Sequence, residues 1–240
     1  PHPTGLRPAT FSHREKDAKL SPMLTLHAFG NVHPFVHGET RDLRVQWALE
    51  EMGLPYTVRG WDHTAGETTG PEFSAISPFN QIPVLDDDGL ILSETGAILI
   101  HVAEKSGRLI PRDAEGRTRV IQWCLVALST VEAPIQPLKL LDMGAMGVTG
   151  ATRDFLVDWT HRALDGLNRR LEGRDWIAAD DFTIADLLLA SVLRQIRHTE
   201  LMDGYPKVKA LYDRAMSRPA WVRTLDLYAE RLGADRAKLA

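Results

Sequence analysis

Near the start of the chain, short apolar runs alternate with an amphipathic segment, and this pattern predicts strands around a helix. The stretch from Leu24 to Phe29 alternates apolar residues with polar or small ones, as a strand does, and residues 55–61 form a second strand. Between them, apolar positions spaced along one helix face predict a helix that ends at Gly53. A short helical piece is predicted at residues 71–75.

The next apolar runs predict a hairpin followed by a helix. Val84 opens one strand, Asp88-Gly89 is a strong turn pattern, and residues 90–92 form the return strand. A helix then runs to about Gly107. The predicted order β-α-β-α-β-β-α has a parallel first pair with a right-handed crossover and an antiparallel last pair. This order is the thioredoxin-like arrangement.

From about residue 113 the periodicity becomes helical and stays so to the end of the chain. One long helix is predicted over residues 118–141, where Pro134 and Pro137 force a bend or a break. A glycine-rich stretch connects it to a second helix over residues 152–171. The predicted fold class is therefore an α/β thioredoxin-like domain followed by an all-α helical bundle.

These changes of pattern divide the chain into three predicted parts. Residues 1–22 lack periodicity and are predicted to be an N-terminal extension. Residues 23–107 form the thioredoxin-like domain, and residues 113–235 form the helical domain.

A helix-start pattern in the helical part has a structural meaning. Thr183 is placed to cap a helix, and Asp186 follows three residues later, which is the spacing of a capping box. We expect this box to stabilise the fold and to take no part in chemistry.

Composition narrows the classes of partner. Of 240 residues, 44% are hydrophobic and 25% are charged, as in soluble globular proteins. The net charge of -4 and the lack of a basic stripe argue against nucleic acid. No apolar run approaches the roughly 20 residues that cross a bilayer, so no membrane partner is expected. With no signal-type segment at the start, we expect a cytoplasmic protein.

The cysteine and histidine content limits redox and metal chemistry. The single cysteine, Cys124, excludes an internal disulfide and a Cys-x-x-Cys redox pair. His33 and His37 are four residues apart, but Pro34 between them disfavours the helix that would align them as metal ligands. No metal is predicted.

The candidate chemistry lies where the hairpin meets the following helix. Pro83 occupies the first strand position, and an X-Pro bond is the usual place for a cis peptide. A cis bond would expose the backbone N–H and C=O of Ile82 to an extended ligand. Ser93 is positioned to cap the helix, and Glu94 and Thr95 occupy its first turn beside free N–H groups. This arrangement suits the charged ends of an amino acid, and an ordinary hairpin with a capped helix explains the spacing equally.

Two motifs in order resemble the cytosolic-type glutathione S-transferases. The first is Gln-Ile-Pro-Val-Leu at residues 81–85, followed by Ser-Glu-Thr at 93–95 where a helix opens. The second is the capping-box segment at 181–190. Arg-Pro-Ala-Trp at 218–221 is also similar to that family's closing segment. The resemblance covers roughly residues 23–232.

The resemblance implies binding roles for five residues. Ile82, beside a cis Pro83, would pair through its backbone with the cysteinyl part of glutathione. Glu94 and Thr95 would hold the γ-glutamyl group, and Gln81 would lie near the glycyl carboxylate. Glutathione is thus implied as the co-substrate, and a homodimer as the assembly.

The resemblance also places the glutathione sulfur near the start of the first helix, where Thr40 matches the position of the sulfur-contacting residue. A free thiol has a pKa of about 8.5, and a helix N-terminus with a hydroxyl donor lowers it by stabilising the thiolate. The long preceding loop leaves Glu39, His37 and Asn31 open as alternatives. A plain N-cap role for Thr40 is open too.

The implied activity is the transfer of glutathione to a small apolar electrophile, a detoxification reaction in which the thiolate is the nucleophile. Met143 and Met146 suggest an adaptable apolar pocket, and a surface loop explains them equally. The alternatives are a non-catalytic binding or dimerisation module, or a glutathione-dependent isomerase, dehalogenase or peroxidase. Disulfide reduction by a protein cysteine is disfavoured because the chain has a single cysteine.

Overall fold

The computed structural model describes residues 24–144, 147 and 150–239, and its first part is a four-stranded sheet in the order β2-β1-β3-β4. The pair β1–β2 is parallel, whereas β1–β3 and β3–β4 are antiparallel. The predicted thioredoxin-like order is confirmed. The strands are β1 (Leu24–Asn31), β2 (Tyr56–Asp62), β3 (Val84–Asp87) and β4 (Leu90–Ser93), and the helices are α1 (Asp42–Met52), α2 (Pro71–Ser74) and α3 (Thr95–Ser106).

The hairpin between β3 and β4 has the predicted turn. Asp88 and Gly89 both have positive φ, 54° and 89°, and so they form a two-residue turn whose twist matches that of the flanking strands. The turn sets the register in which Val84 pairs with Ser93. That pairing brings the start of β3 beside the end of β4, where α3 begins.

The second part contains helices and no strand within the residues that the structure describes, as predicted. Its helices are α4 (Ala114–Leu125), α5 (Glu132–Asp142), α6 (Gly150–Arg170), α7 (Ile184–Leu193), α8 (Pro206–Met216) and α9 (Pro219–Leu232). The break predicted in the long helix comes as a π-helical turn over Val126–Val131, between α4 and α5. Pro134 has no N–H to offer the carbonyl one turn earlier, and a wider turn relieves the clash of its ring. This turn places Leu128 and Glu132 beside the sheet part.

One helical stretch in the described ranges, Ala114–Asp142, has the length and apolar composition of a membrane span. Here it packs as a bundle helix: α4 and the π-helical turn contact α7, and α5 contacts α6. It also carries the ionised side chain of Glu132, which pairs with Arg44 of α1.

Helix α1 joins the two parts. It packs on α3 of the sheet part and on α7 and α9 of the bundle. Its fully buried Trp47 lies 5.0 Å from the ring of Trp221 and 5.9 Å from that of Phe182, between ring centroids. A single apolar core therefore runs through both parts, and the N-terminus of α1 is fixed in place between them. The domain boundaries given above stay predictions, and the predicted extension at residues 1–22 lies outside the described residues.

The capping box predicted at the start of α7 is confirmed. Asp186 is fully buried, and its Oδ2 accepts hydrogen bonds from the N–H and the hydroxyl of Thr183 at 2.9 and 2.8 Å. Its Oδ1 accepts from the N–H of Ile177 at 2.7 Å. Burial outweighs these hydrogen bonds and raises the pKa of Asp186 to about 6. Asp186 thus ties the α6–α7 connection to the first turn of α7.

Candidate active site

A cleft of about 390 Å³ opens between the sheet part and the helical part. On the sheet side it is lined by the loop before β3 and by the junction of β4 with α3. On the other side it is lined by the start of α1, the π-helical turn and the start of α5. The cleft brings together five of the residues singled out from the sequence: Gln81, Ile82, Pro83, Glu94 and Thr95.

The Ile82–Pro83 peptide bond is cis, as predicted. The side chain of Ile82 is buried, whereas its backbone N–H and C=O bond to no other residue in the described ranges. The preceding loop is held by Ser77, whose hydroxyl accepts from the N–H of Gln81 at 2.9 Å and donates to its carbonyl at 3.0 Å. Unpaired backbone groups in a cleft offer hydrogen bonds to an extended ligand.

The start of α3 presents both a carboxylate and free N–H groups to the cleft. Glu94 precedes the helix with φ 69° and ψ 117°, a conformation that costs about 1–3 kcal/mol for a residue with a side chain. No side chain caps the first N–H groups of α3, and the hydroxyl of Thr95 bonds to no other described residue. The positive end of the helix dipole adds to these donors. Exposed Glu94 suits an ammonium group, and the helix start suits a carboxylate.

The expectation that Ser93 caps α3 is wrong. Ser93 is the last residue of β4, where it pairs with Val84, and Glu94 is the N-cap residue. Strand β4 therefore extends one residue beyond its predicted end and includes the residue that was expected to cap the helix. Ser93 still lines the cleft, and the helix start stays open for a ligand.

Across the cleft, Glu132 accepts hydrogen bonds from two arginines. Arg44 donates to its Oε1 at 2.6 Å and to its Oε2 at 3.2 Å, and Arg41 donates to Oε1 at 3.2 Å. Burial alone would raise the pKa of Glu132, but Arg44 and Arg41 outweigh it and hold that pKa below its usual value. Only one feature of the sequence pointed to this pairing, namely that Arg44 and Glu132 interrupt apolar helix faces.

Thr40 is not among the residues that line the cleft. Its hydroxyl donates to the phenol oxygen of Tyr228 in α9 at 3.0 Å, and the N–H of Gly38 donates to the same oxygen at 3.2 Å. It does not cap α1, because Arg41 is the N-cap residue and makes no side-chain cap bond. A threonine hydroxyl can donate a single hydrogen bond, and here it donates that hydrogen bond to Tyr228. The catalytic role of Thr40 stays a prediction, and it would require this hydroxyl to leave Tyr228.

The three alternatives to Thr40 also lie outside the lining of the cleft. Asn31 donates to Asp62 at 3.1 Å and to Thr64 at 2.8 Å. His37 follows the short helical turn Pro34–Val36. Glu39 pairs with a lysine and two arginines of the helical part, Lys139, Arg194 and Arg197.

Three ring residues in the cleft, Phe29, His63 and Phe79, had not been singled out from the sequence. Phe29 comes from β1, and His63 follows β2. The Nδ1 of His63 lies 2.8 Å from the hydroxyl of buried Thr68, and its ring packs edge-on against Phe29. Phe29 and His63 belong to loop or strand ends that come together only in the folded sheet.

The cysteine does not line the cleft. Cys124 is buried in α4, and burial, with Asp186 nearby, raises the pKa of its thiol to about 12. A thiol of such a high pKa is a poor nucleophile at neutral pH. Within the described ranges, no cluster of three His, Cys, Asp or Glu residues is arranged to hold a metal ion.

Comparison with known protein families identifies the family of this chain. The glutathione S-transferase N-terminal domain matches residues 31–104, and the glutathione S-transferase C-terminal domain matches residues 152–219. The two ranges together cover more than half of the chain. The chain belongs to the glutathione S-transferase family.

Similar members of the glutathione S-transferase family carry different activities in their names. The disulfide-bond oxidoreductase YfcG of Escherichia coli K12 is 30% identical over 198 residues, which cover 79% of this chain and 91% of that protein. Glutathione S-transferase 1 of Triticum aestivum is 29% identical over 216 residues, covering 82% and 92%. A glutathione transferase structure from Burkholderia graminis, with two glutathione molecules bound per subunit, aligns with a TM-score of 0.73 and 32% identity over 85% of this chain and 88% of that one.

Proposed function

We propose that this protein is a glutathione transferase that binds glutathione in the cleft and uses its thiolate to attack an electrophile. One observation carries the proposal: the unpaired backbone groups of Ile82 share a cleft with the carboxylate of Glu94 and the uncapped start of α3. These groups complement the three features of a γ-glutamyl-cysteinyl peptide, namely its amide backbone, its ammonium group and its carboxylate.

Each residue then has a distinct task. The N–H and C=O of Ile82 pair with the cysteinyl backbone. Glu94 accepts from the γ-glutamyl ammonium, while the hydroxyl of Thr95 and the first N–H groups of α3 donate to the γ-glutamyl carboxylate. Gln81, whose exposed amide lines the same cleft, is assigned to the glycyl end.

The cysteinyl sulfur would then face the start of α1. The positive end of that helix favours the thiolate over the thiol and so lowers the thiol pKa. In the transfer step a C–S bond forms between the thiolate and the electrophilic carbon, and the leaving group departs with its bonding electron pair. The fixed position of α1 in the shared core aims the sulfur at the acceptor.

Removing either group assigned to the γ-glutamyl end is expected to weaken glutathione binding. Hydrogen bonds to charged groups contribute about 1.5–3 kcal/mol, so Thr95→Val and Glu94→Gln should each raise the glutathione Kd by about ten- to a hundredfold. Isothermal titration calorimetry with reduced glutathione measures this. Glu104→Gln, which neutralises a carboxylate near the other end of α3, is the matched control and should leave the Kd unchanged. Equal affinity in all four proteins would contradict the assignment.

A second candidate function is the reduction of disulfides by two molecules of glutathione without a protein cysteine. The name of the E. coli relative and the two glutathione molecules in the B. graminis structure favour it, and the high thiol pKa of Cys124 requires glutathione to supply both sulfurs. One glutathione thiolate attacks the disulfide, breaks its S–S bond and expels the first substrate thiolate. The second glutathione thiolate attacks the glutathione sulfur of the mixed disulfide, expels the other substrate thiolate and forms glutathione disulfide. Turnover of bis(2-hydroxyethyl) disulfide in Cys124→Ser, without turnover of aryl halides, would select this candidate.

We also propose a cytoplasmic homodimer. Phe79 is 77% exposed in the loop before Pro83, and a large exposed aromatic side chain is typical of an interaction surface. Phe79→Ser is expected to shift the protein from dimer to monomer, as measured by size-exclusion chromatography with light scattering. Phe35→Ser removes a comparably exposed ring, 69% exposed, from the β1–α1 loop, and it tests whether the effect is specific to Phe79. A wild-type monomer, or a dimer that survives Phe79→Ser, would remove Phe79 from the interface.

A further inference from the structure

The wall of the cleft that is formed by the start of α1 and the start of α5 is charged. An apolar pocket for the acceptor had been expected there. In the described ranges, the helical part contributes only Leu128 and Glu132 to the lining, and α1 contributes Arg41 and Arg44. Met143, expected to form an apolar pocket, does not line this cleft, and Met146 lies outside the described residues. The chemistry of this wall therefore depends on its ionised groups.

These groups leave one positive charge in excess. A guanidinium group carries a positive charge, and the two arginines hold the pKa of Glu132 below its usual value, so its carboxylate is ionised as well. Its Oε1 accepts from Arg41, Arg44 and the amide of Gln195, and its Oε2 accepts from Arg44. A carboxylate so fully engaged neutralises one of the two guanidinium groups and has little capacity left for the other.

The excess charge resides on Arg41. Arg44 is 5% exposed and both of its terminal nitrogens donate to Glu132, so it serves the fold. The side chain of Arg41 is 45% exposed, and within the described residues it makes a single hydrogen bond, from Nη2 to Glu132. Its remaining donors are available in the cleft. A planar guanidinium with several free donors binds a carboxylate in a bidentate manner.

We infer that the second substrate is an electrophile that carries a carboxylate, and that Arg41 binds this carboxylate. The inference rests on the proposed glutathione transfer and names the substrate class of the same cleft. Glu132 positions the guanidinium by holding one of its nitrogens. In the step itself the sulfur forms a bond to the electrophilic carbon and the leaving group takes its electron pair, while the carboxylate of the acceptor stays paired with Arg41.

Two acceptors that differ in one charge test this inference. They are 4-chloro-3-nitrobenzoate and 4-chloro-3-nitrobenzamide, each of which loses chloride to the glutathione thiolate. After division by the uncatalysed rate with glutathione, wild-type kcat/KM should favour the benzoate by at least about tenfold. Arg41→Gln should bring this ratio close to one, and Arg41→Lys should retain part of it. Arg59→Gln, which changes an exposed arginine outside the cleft, should leave the ratio unchanged.

Two outcomes of these rate measurements would overturn the inference. If Arg41→Gln slows both acceptors equally, Arg41 acts on glutathione and the inference fails. If wild-type protein has no preference for the benzoate, the inference fails too.

Calorimetric binding of the two S-aryl glutathione products tests, without turnover, whether Arg41 binds the carboxylate. The carboxylate product should bind about tenfold tighter than the carboxamide product, and Arg41→Gln should abolish the difference. Equal affinity for the two products overturns the inference, whereas failure to bind glutathione itself overturns the proposed function.

Discussion

Replacing Glu132 with alanine is expected to lower the free energy of unfolding by about 3–5 kcal/mol. The variant leaves the guanidinium of Arg44, which is 5% exposed, buried without its counter-ion. Desolvation of a lone charge costs far more than loss of a surface pair. Urea denaturation at pH 7, followed by tryptophan fluorescence, measures the change.

Glu115→Ala is the control for this prediction. Glu115 pairs with Arg119 one turn further along the exposed face of α4, and loss of such a pair should change stability by less than about 1 kcal/mol. The double variant Glu132→Leu, Arg44→Leu should recover much of the stability lost by Glu132→Ala, because it buries no unpaired charge. A Glu132→Ala protein as stable as Glu115→Ala would show that Arg44 finds water or another partner.

Replacing Asp186 with alanine is expected to destabilise the fold by about 3 kcal/mol or more. The variant orphans the backbone N–H groups of Ile177 and Thr183, and each unsatisfied buried donor costs about 1–3 kcal/mol. The same urea denaturation measures it. Asp181→Ala removes an exposed carboxylate just before the same helix and should change stability by less than about 0.5 kcal/mol. Similar losses in the two variants would contradict the role of the box.

The pH dependence of the Asp186 contribution has a definite sign. Its folded-state pKa, about 6, lies above the ordinary value of 3.8, so the folded state holds this proton more tightly than the unfolded state does. The resulting stabilisation is complete below about pH 4 and is lost as the pH rises through 6. Relative to Asp186→Asn, wild-type protein should therefore lose up to about 1.4 kcal/mol per pH unit between these values. A difference that is flat, or that grows with pH, would contradict the raised pKa.

Features set by neighbouring residues were predictable from the sequence. The turn at Asp88-Gly89, the cis bond before Pro83 and the capping box of Asp186 each depend on residues a few positions apart. Their geometry follows from local sterics and hydrogen bonding, which a short motif specifies. The five candidate binding residues cluster around the same hairpin, so one short motif and its family resemblance pointed to all of them, and all five line the cleft.

Features set by distant residues were not predictable. The hydroxyl of Thr40 is taken by Tyr228, 188 positions away, and Glu132 bonds Arg44 across 88 positions. Neither pairing has a periodicity or a spacing that a pattern can show. For the same reason an apolar acceptor pocket was expected from the methionines, while the charged wall of the cleft was missed.

The position of Trp47 has a practical consequence for protein engineering. Its indole is fully buried, and two rings from the other half of the chain, Phe182 and Trp221, pack against it. A fragment that stops after α3 would leave this indole, and the helix face around it, in water. The sheet part is thus unsuited to transplantation as a free-standing module, and chimaeras in this family should exchange α1 together with its bundle contacts.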